Sequence, residues 1–195
     1  SLLKSGYSVV VVDNLITGRK ENLAEALKNP QCTLIGHDII QPLSNSILQP
    51  LSDISFIFHL ASPASVVDYQ KYPEETALVN SVGTRNLLQQ GRDTGAKFLF
   101  ASTSEVYGDP KEHPQKETYW GNVNPIGQRA CYDESKRFGE MMTMLFSRRD
   151  GVDVRIIRIF NTYGPRMRPD DGRVISNLVN QAIRGEPMTV YGDGK

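Results

Sequence analysis

Cysteine is scarce in this 195-residue chain: only Cys32 and Cys131 are present, far apart in sequence. Their spacing fits neither a zinc site nor a disulfide framework, so a reducing, cytosolic setting is the expectation. The three histidines, His37, His59 and His113, form no ligand spacing, and no metal is expected. An excess of one charge is also lacking, with Lys+Arg 22 against Asp+Glu 22. That balance argues against a basic nucleic-acid-binding arm or a membrane-binding face. No apolar run reaches the ~20 residues that a membrane-spanning helix needs. Internal repeats and low-complexity tracts are missing too.

What the chain does have is an alternation. Strand-like runs rich in β-branched residues lie at 7–13, 32–38, 55–61, 97–103 and 152–160. Helix-like segments lie at 20–28, 73–92, 127–149 and 173–184. Strands separated by helices predict an α/β fold with a doubly wound parallel sheet, Rossmann-like, covered on both faces. The stretch 108–130 reads as a long loop, and loops of that length in compact domains are often functional. The "TVY" run near the end reads as a strand entering a turn.

A glycine-rich phosphate loop, GxGxxG, is absent. In a dinucleotide fold it lies between the first strand and the first helix. The chain opens on Ser1 with a helix end followed by a strand, so the reading is a Rossmann-like domain truncated before its second strand. The expectation is that the sheet lacks its central strand and that the polypeptide as given neither binds NAD nor folds stably alone.

Several strand ends carry polar residues. Asp13 ends the first strand, where an acid can hold the adenosine ribose hydroxyls and favour NAD over NADP. A turn cap is an equal reading of Asp13, and Arg19 nearby leaves a minor reading open for a phosphate. Asp38 follows the next strand and could accept from an adenine amino group; Ala61 and Ser62 are small enough to let a cofactor approach. Thr103, Ser104 and Glu105 follow the strand at 97–103. A hydroxyl there can hold a substrate oxygen, and a carboxylate can work as acid or base.

Three tyrosines have lysine four residues on. Tyr107/Lys111 and Tyr191/Lys195 are interrupted by Gly or Pro, whereas Tyr132/Lys136 in "YDESK" is not. Helical spacing puts Tyr132 and Lys136 on one face. A free phenol has a pKa of about 10, too high for a base at neutral pH. A nearby ammonium and a cationic nicotinamide would lower it, so Tyr132 could take a proton from an alcohol while Thr103 orients the same oxygen. A solvated helix face is the competing reading.

The segments "DNLITG", "HLASPAS", "TSEVYGDP", "YWGNVNPIGQRACYDESK", "FNTYGPRM", "DGRVISN" and "TVYGDGK" resemble the extended short-chain dehydrogenase/reductase superfamily almost from end to end. Within it they resemble the UDP-glucuronate decarboxylase branch. That resemblance implies Tyr132 as catalytic base, Lys136 as its activator, and Thr103 and Glu105 at the sugar. It implies substrate contacts from Asn161, Arg173 and Tyr191, with Arg173 steering a carboxylate or helping protonation. It implies an NAD site comprising Asp13, Asn14, Thr17, Gly18, Asp38, Ile39, Leu60, Ala61, Ser62, Tyr132, Lys136 and Thr162. Residues 1–164 would form the NAD-binding domain, and 165–195 would begin the nucleotide-sugar domain. A homodimer through a four-helix bundle is implied as well.

The implied reaction is redox-neutral decarboxylation of UDP-glucuronate to UDP-xylose through a 4-keto intermediate. Nucleotide-sugar 4,6-dehydratases typically carry "TDE", whose aspartate expels a hydroxyl; Ser104 replaces that acid here. Gln128 and Ser135 stand where decarboxylases often have Pro and Gly, and 66–80 departs from many members. The alternatives are a sister 4,6-dehydratase or UDP-sugar 4-epimerase, and a non-catalytic NAD- or nucleotide-sugar-binding scaffold.

Overall fold

The computed structural model describes residues 1–42, 47, 51, 53–190 and 192. The described strands are β1 (Val9–Asp13), β2 (Cys32–Gly36), β3 (Phe56–His59), β4 (Lys97–Thr103) and β5 (Val154–Ile159). The helices are α1 (Val66–Lys71), α2 (Pro73–Leu78), α3 (Thr84–Thr94), α4 (Ala130–Asp150) and α5 (Val174–Arg184). All ladders are parallel, which gives the expected α/β, Rossmann-like class.

Among the described residues the ladders form two sheets rather than one, β1–β2 and β3–β4–β5, and none joins β1 to β3. Strand order therefore runs outward in both directions from β1 and β3. That reversal is a topological switch point, where parallel α/β sheets present a ligand crevice at the strand carboxyl ends.

Only one face of the three-stranded sheet is covered among the described residues, against the expectation of two. The core cluster comprises Ile57, Leu88, Ala96, Phe98, Phe100, Phe146 and Val152, so α3 and α4 pack on the same side. Phe56, Phe58, Ile157 and Ile159 point the other way and are exposed. Period-two alternation puts successive side chains on opposite faces, and near-continuous apolar strands cannot reveal which face is covered.

The helix expected at 20–28 is two 3-10 turns, Lys20–Leu23 and Ala26–Lys28. At this length a regular helix needs tertiary packing, and neither turn buries a residue. The helix expected at 73–92 begins with Pro73 at its first turn, passes through a π segment at Val79–Gly83 and continues as α3 to Thr94. Helix α1 was not anticipated. Ser65 caps it by accepting from the Asp68 amide at 3.2 Å, a bond typically worth about 1 kcal/mol. Helix α4 is built from strong helix formers and stops at Gly151, whose φ of 72° suits only glycine at low cost. Residues 187–190 are not a strand, and Tyr191 lies outside the described residues.

Candidate active site

Two spaces open near the strand ends. The first is a crevice of ≈ 150 Å³ at the switch point. Asp13, Asn14, Thr17, Gly18, Asp38, Ile39, Leu60, Ala61 and Ser62 all line it. Asp13 Oδ1 accepts from the Leu15 amide at 2.7 Å, and Asn14 Nδ2 donates to Asp38 Oδ2 at 2.9 Å. Asp38 Oδ1 accepts from the Ile40 amide at 3.0 Å. Both acids thus shape turns with one oxygen, so the turn-cap reading of Asp13 holds alongside any ligand role. Asp13 Oδ2 faces Gly18, where a Cβ would come within 3.3 Å. A carboxylate at a strand end, beside a glycine that leaves room next to it, fits a ribose diol.

Thr162 does not line this crevice; its Oγ1 donates to the Phe160 carbonyl at 2.9 Å. Arg19 is also outside the lining and lies 4.0 Å from Asp170. The phosphate-accepting reading of Arg19 has no geometric support.

Tyr132 and Lys136 are both buried on α4. Lys136 Nζ donates to the Ala101 carbonyl at 2.8 Å and sits 5.1 Å above the Phe100 ring and 5.8 Å from the Tyr132 ring. Burial pulls its pKa down to about 7. No hydrogen bond joins Lys136 to the Tyr132 phenol. Burial raises the Tyr132 pKa, the hydrogen bond from Thr103 lowers it, Glu105 raises it, and Arg173 lowers it. Lys136 is not among the groups that shift the phenol, and its ammonium is directed at a backbone carbonyl.

Thr103 ends β4, and its Oγ1 accepts from the Glu105 amide at 3.2 Å. Glu105 pairs with Arg129. Arg173, immediately before α5, donates to the Ala64 carbonyl at 2.9 Å and lies 3.5 Å from Asp171. Asn161 is exposed in the bend after β5. The second space is an open pocket of ≈ 760 Å³, lined by Glu105, Arg129, Asp133 and the loop residues 108–109, 122–124 and 127–128.

Three features escaped the sequence reading. Tyr69 stacks on Tyr132 with ring centroids 5.0 Å apart and planes 8° apart. The fully buried Asn80 donates to Ser62 Oγ at 3.0 Å and Ser135 Oγ at 3.1 Å, which links the crevice to α4. Arg168 pairs with Asp68 at 2.8 Å and fastens the segment before α5 to α1. A tyrosine in an unpredicted helix carries no signal at short range. The π segment around Asn80 has none either, although such bulges cluster at functional sites.

A parallel Rossmann-like sheet, a crevice at its switch point and a buried Tyr–Lys pair beside a Thr–Glu strand end define a nucleotide-dependent dehydrogenase-type site. The chain belongs to the NAD dependent epimerase/dehydratase family, whose model matches residues 1–195. It is 57% identical over 194 residues to UDP-glucuronic acid decarboxylase 1 of Arabidopsis thaliana, covering 100% of this chain and 43% of that protein. It is 50% identical over 194 residues to UDP-glucuronic acid decarboxylase 1 of Xenopus tropicalis, covering 100% and 44%. The chain thus spans less than half the length of these relatives.

Among solved structures, it superposes on a UDP-glucuronic acid 4-epimerase of Bacillus cereus in complex with UDP-glucuronic acid and NAD. The TM-score is 0.83 at 29% identity, covering 99% of this chain and 60% of that one. It also superposes on the dTDP-glucose 4,6-dehydratase DesIV of Streptomyces venezuelae with NAD bound, at TM-score 0.84 and 28% identity with the same coverage. No helix among the described residues is long and apolar enough to cross a membrane.

Proposed function

We propose that the whole protein to which this chain belongs decarboxylates UDP-glucuronate to UDP-xylose, using NAD that is regenerated in each cycle. The observation that carries this reading is a buried Tyr132 phenol acted on by the Thr103 hydroxyl and the Glu105 carboxylate, in a chain 50–57% identical to decarboxylases of that substrate. Bound NAD supplies a hydride acceptor at C4 that becomes the donor when the ring ketone is reduced.

The chain's residues supply the rest. Asp13 would hold the adenosine ribose, Asp38 and Ile39 the adenine, and Ala61 and Ser62 leave room for the cofactor to approach. Tyr132 accepts the C4 hydroxyl proton and later returns it; Thr103 orients the same oxygen and stabilises the phenolate. The resulting C4 ketone is β to the carboxylate, so the C5–C6 bond breaks and carbon dioxide leaves with no acid needed to expel it; its electron pair becomes an enolate that takes a proton at C5 before the ketone is reduced. Ser104, where an acid serves the dehydratases, is compatible with that. Arg173, Asn161 and Tyr191 complete the substrate contacts in this reading, with Arg173 toward the sugar carboxylate. Residues 1–164 carry the cofactor and 165–195 open the sugar lobe.

A homodimer fits the surface. Phe138, Met141 and Leu145 are exposed on one side of α4, at the spacing of a packing stripe. The free thiols of Cys32 and Cys131 support a reducing compartment, the cytosol. Incubation of full-length protein with UDP-glucuronate and NAD tests the reaction: carbon dioxide and a UDP-pentose are expected. A six-carbon UDP-sugar with no carbon dioxide would support the epimerase alternative instead, and tight NAD retention with no turnover would support a scaffold.

A further inference from the structure

Arg129 touches both halves of the candidate site. Its carbonyl accepts from the amides of Tyr132 at 2.9 Å and Asp133 at 3.0 Å, and so sets the first turn of α4. Its guanidinium donates to the Glu105 carboxylate. The Glu105 backbone is fixed separately by Thr103. One residue therefore ties the helix turn that carries the candidate base to the carboxylate that follows β4.

The charges around it explain why such a tie is useful. Glu105 and Asp133 both push the Tyr132 pKa up. Asp133 sits in the same pocket with Oδ1 buried and without a hydrogen-bond partner. Burial raises its pKa to about 6, and Arg129 pulls against that rise. The Tyr69 ring stacks on Tyr132, and its buried hydroxyl interacts with Arg129 as well. The cation that lowers the Tyr132 pKa is Arg173, which is held on Ala64 and Asp171. The Arg129–Glu105 pair is partly open to the pocket, with side chains 46% and 29% exposed, so an entering ligand meets it.

We propose that Arg129 is a positioning residue of this reaction. It holds Glu105 in one placement against the pocket wall and neutralises it beside the Tyr132 phenol, so that an anionic sugar acid meets a paired carboxylate rather than a bare one. The inference rests on the sugar-acid decarboxylase reading above. A partly exposed ion pair adds little to stability, so the effect of its loss falls on catalysis rather than folding.

The test is a double-mutant cycle on full-length protein with UDP-glucuronate. It uses wild type, Arg129→Gln, Glu105→Gln and the double variant, with NAD affinity and the thermal midpoint as controls. Arg129→Gln is expected to lower kcat/KM roughly 10- to 100-fold, the scale of a misplaced catalytic group, and Arg129→Lys to recover part of the loss. The double variant is expected to be no worse than Glu105→Gln alone, since residues that act through one another are non-additive. A merely structural Arg129 would give the same loss in both backgrounds. Multiplying losses, or an unimpaired Arg129→Gln, would overturn the inference while leaving the reaction intact. A wild type that releases no carbon dioxide would overturn the reaction reading and the inference together.

Discussion

Burial dominates the chemistry of individual residues in this site. Tyr132, Lys136 and His59 are all shifted first by desolvation, each away from its charged form. For Tyr132 this means that base action depends on what binds beside it. Tyr132→Phe in the full-length protein should reduce turnover by roughly 10²–10⁴-fold, the usual worth of a positioned acid–base group, while NAD affinity is kept because the ring still packs on Tyr69. Near-normal turnover by steady-state kinetics would remove Tyr132 from the mechanism. His59 gives a stability prediction. Its pKa is lowered to about 3 from 6.5 by burial and by Lys136. A depressed folded pKa means that the unfolded chain binds more protons between those values. The stabilisation is therefore complete above 6.5 and is lost as pH falls toward 3, with a slope of about 1.4 kcal/mol per unit for one proton. Denaturant titrations of full-length wild type and His59→Gln should converge as pH falls from 7 to 4.5, and a constant gap would contradict this. Ser104 gives a specificity prediction. Ser104→Asp would put a second anion near the uronate carboxylate, in a site where like charges oppose each other more strongly than in water. It should raise KM for UDP-glucuronate, while Ser104→Ala does far less. Equal kinetics of the two variants would mean that position 104 does not face the carboxylate. At this scale the strand-end residues were legible because each follows a β-branched run. Tyr69 and Asn80 were not, since their roles come from contacts made across long sequence separations.

Among the elements, α4 carries the most consequence, because it places Tyr132 and Lys136 while covering the sheet. Gly139 is where it comes closest to its neighbours: an added Cβ would press into the Phe100 ring and approach the Asn80 carbonyl at 3.1 Å. Ala at an exposed helix position would gain about 1 kcal/mol over Gly. Here overpacking, typically about 1–3 kcal/mol, should outweigh that gain, so Gly139→Ala should lower the thermal midpoint of the full-length protein. A raised midpoint would show that α4 can shift away from β4. Ser135, where decarboxylases often carry Gly, accepts from Asn80 and donates to the Tyr132 carbonyl at 3.1 Å. That departure is thus absorbed by the buried polar network rather than by the substrate pocket. Five strands and the long helices could be read from β-branched runs, helix formers and Gly stops. The 20–28 segment misled because its composition suits a helix while its burial does not support one. The 73–92 segment hid its π turn because one extra residue in a single turn is a local change that helix-forming composition does not report.

For the whole molecule, the two sheets, the switch-point crevice and the α4 surface stripe determine what can be tested. Replacing Met141 and Leu145 together by Glu should shift the full-length protein to monomer in sedimentation velocity at micromolar concentration if α4 forms the dimer contact; an unchanged dimer would place the contact elsewhere. The doubly wound class was legible from the strand–helix alternation, but the split into two sheets and the uncovered sheet face were not, since apolar strands read alike whichever side is packed. The central claim is that a uronic acid loses its carboxyl group through transient oxidation at C4 with nothing oxidised overall. The most direct measurement is to give full-length protein UDP-glucuronate deuterated at C4, in ordinary water, and follow the label by mass spectrometry and NMR. The account predicts UDP-xylose that keeps deuterium at C4, one carbon dioxide per turnover and no accumulation of reduced cofactor. Loss of the label to solvent, or a six-carbon product with the carboxylate retained, would contradict it.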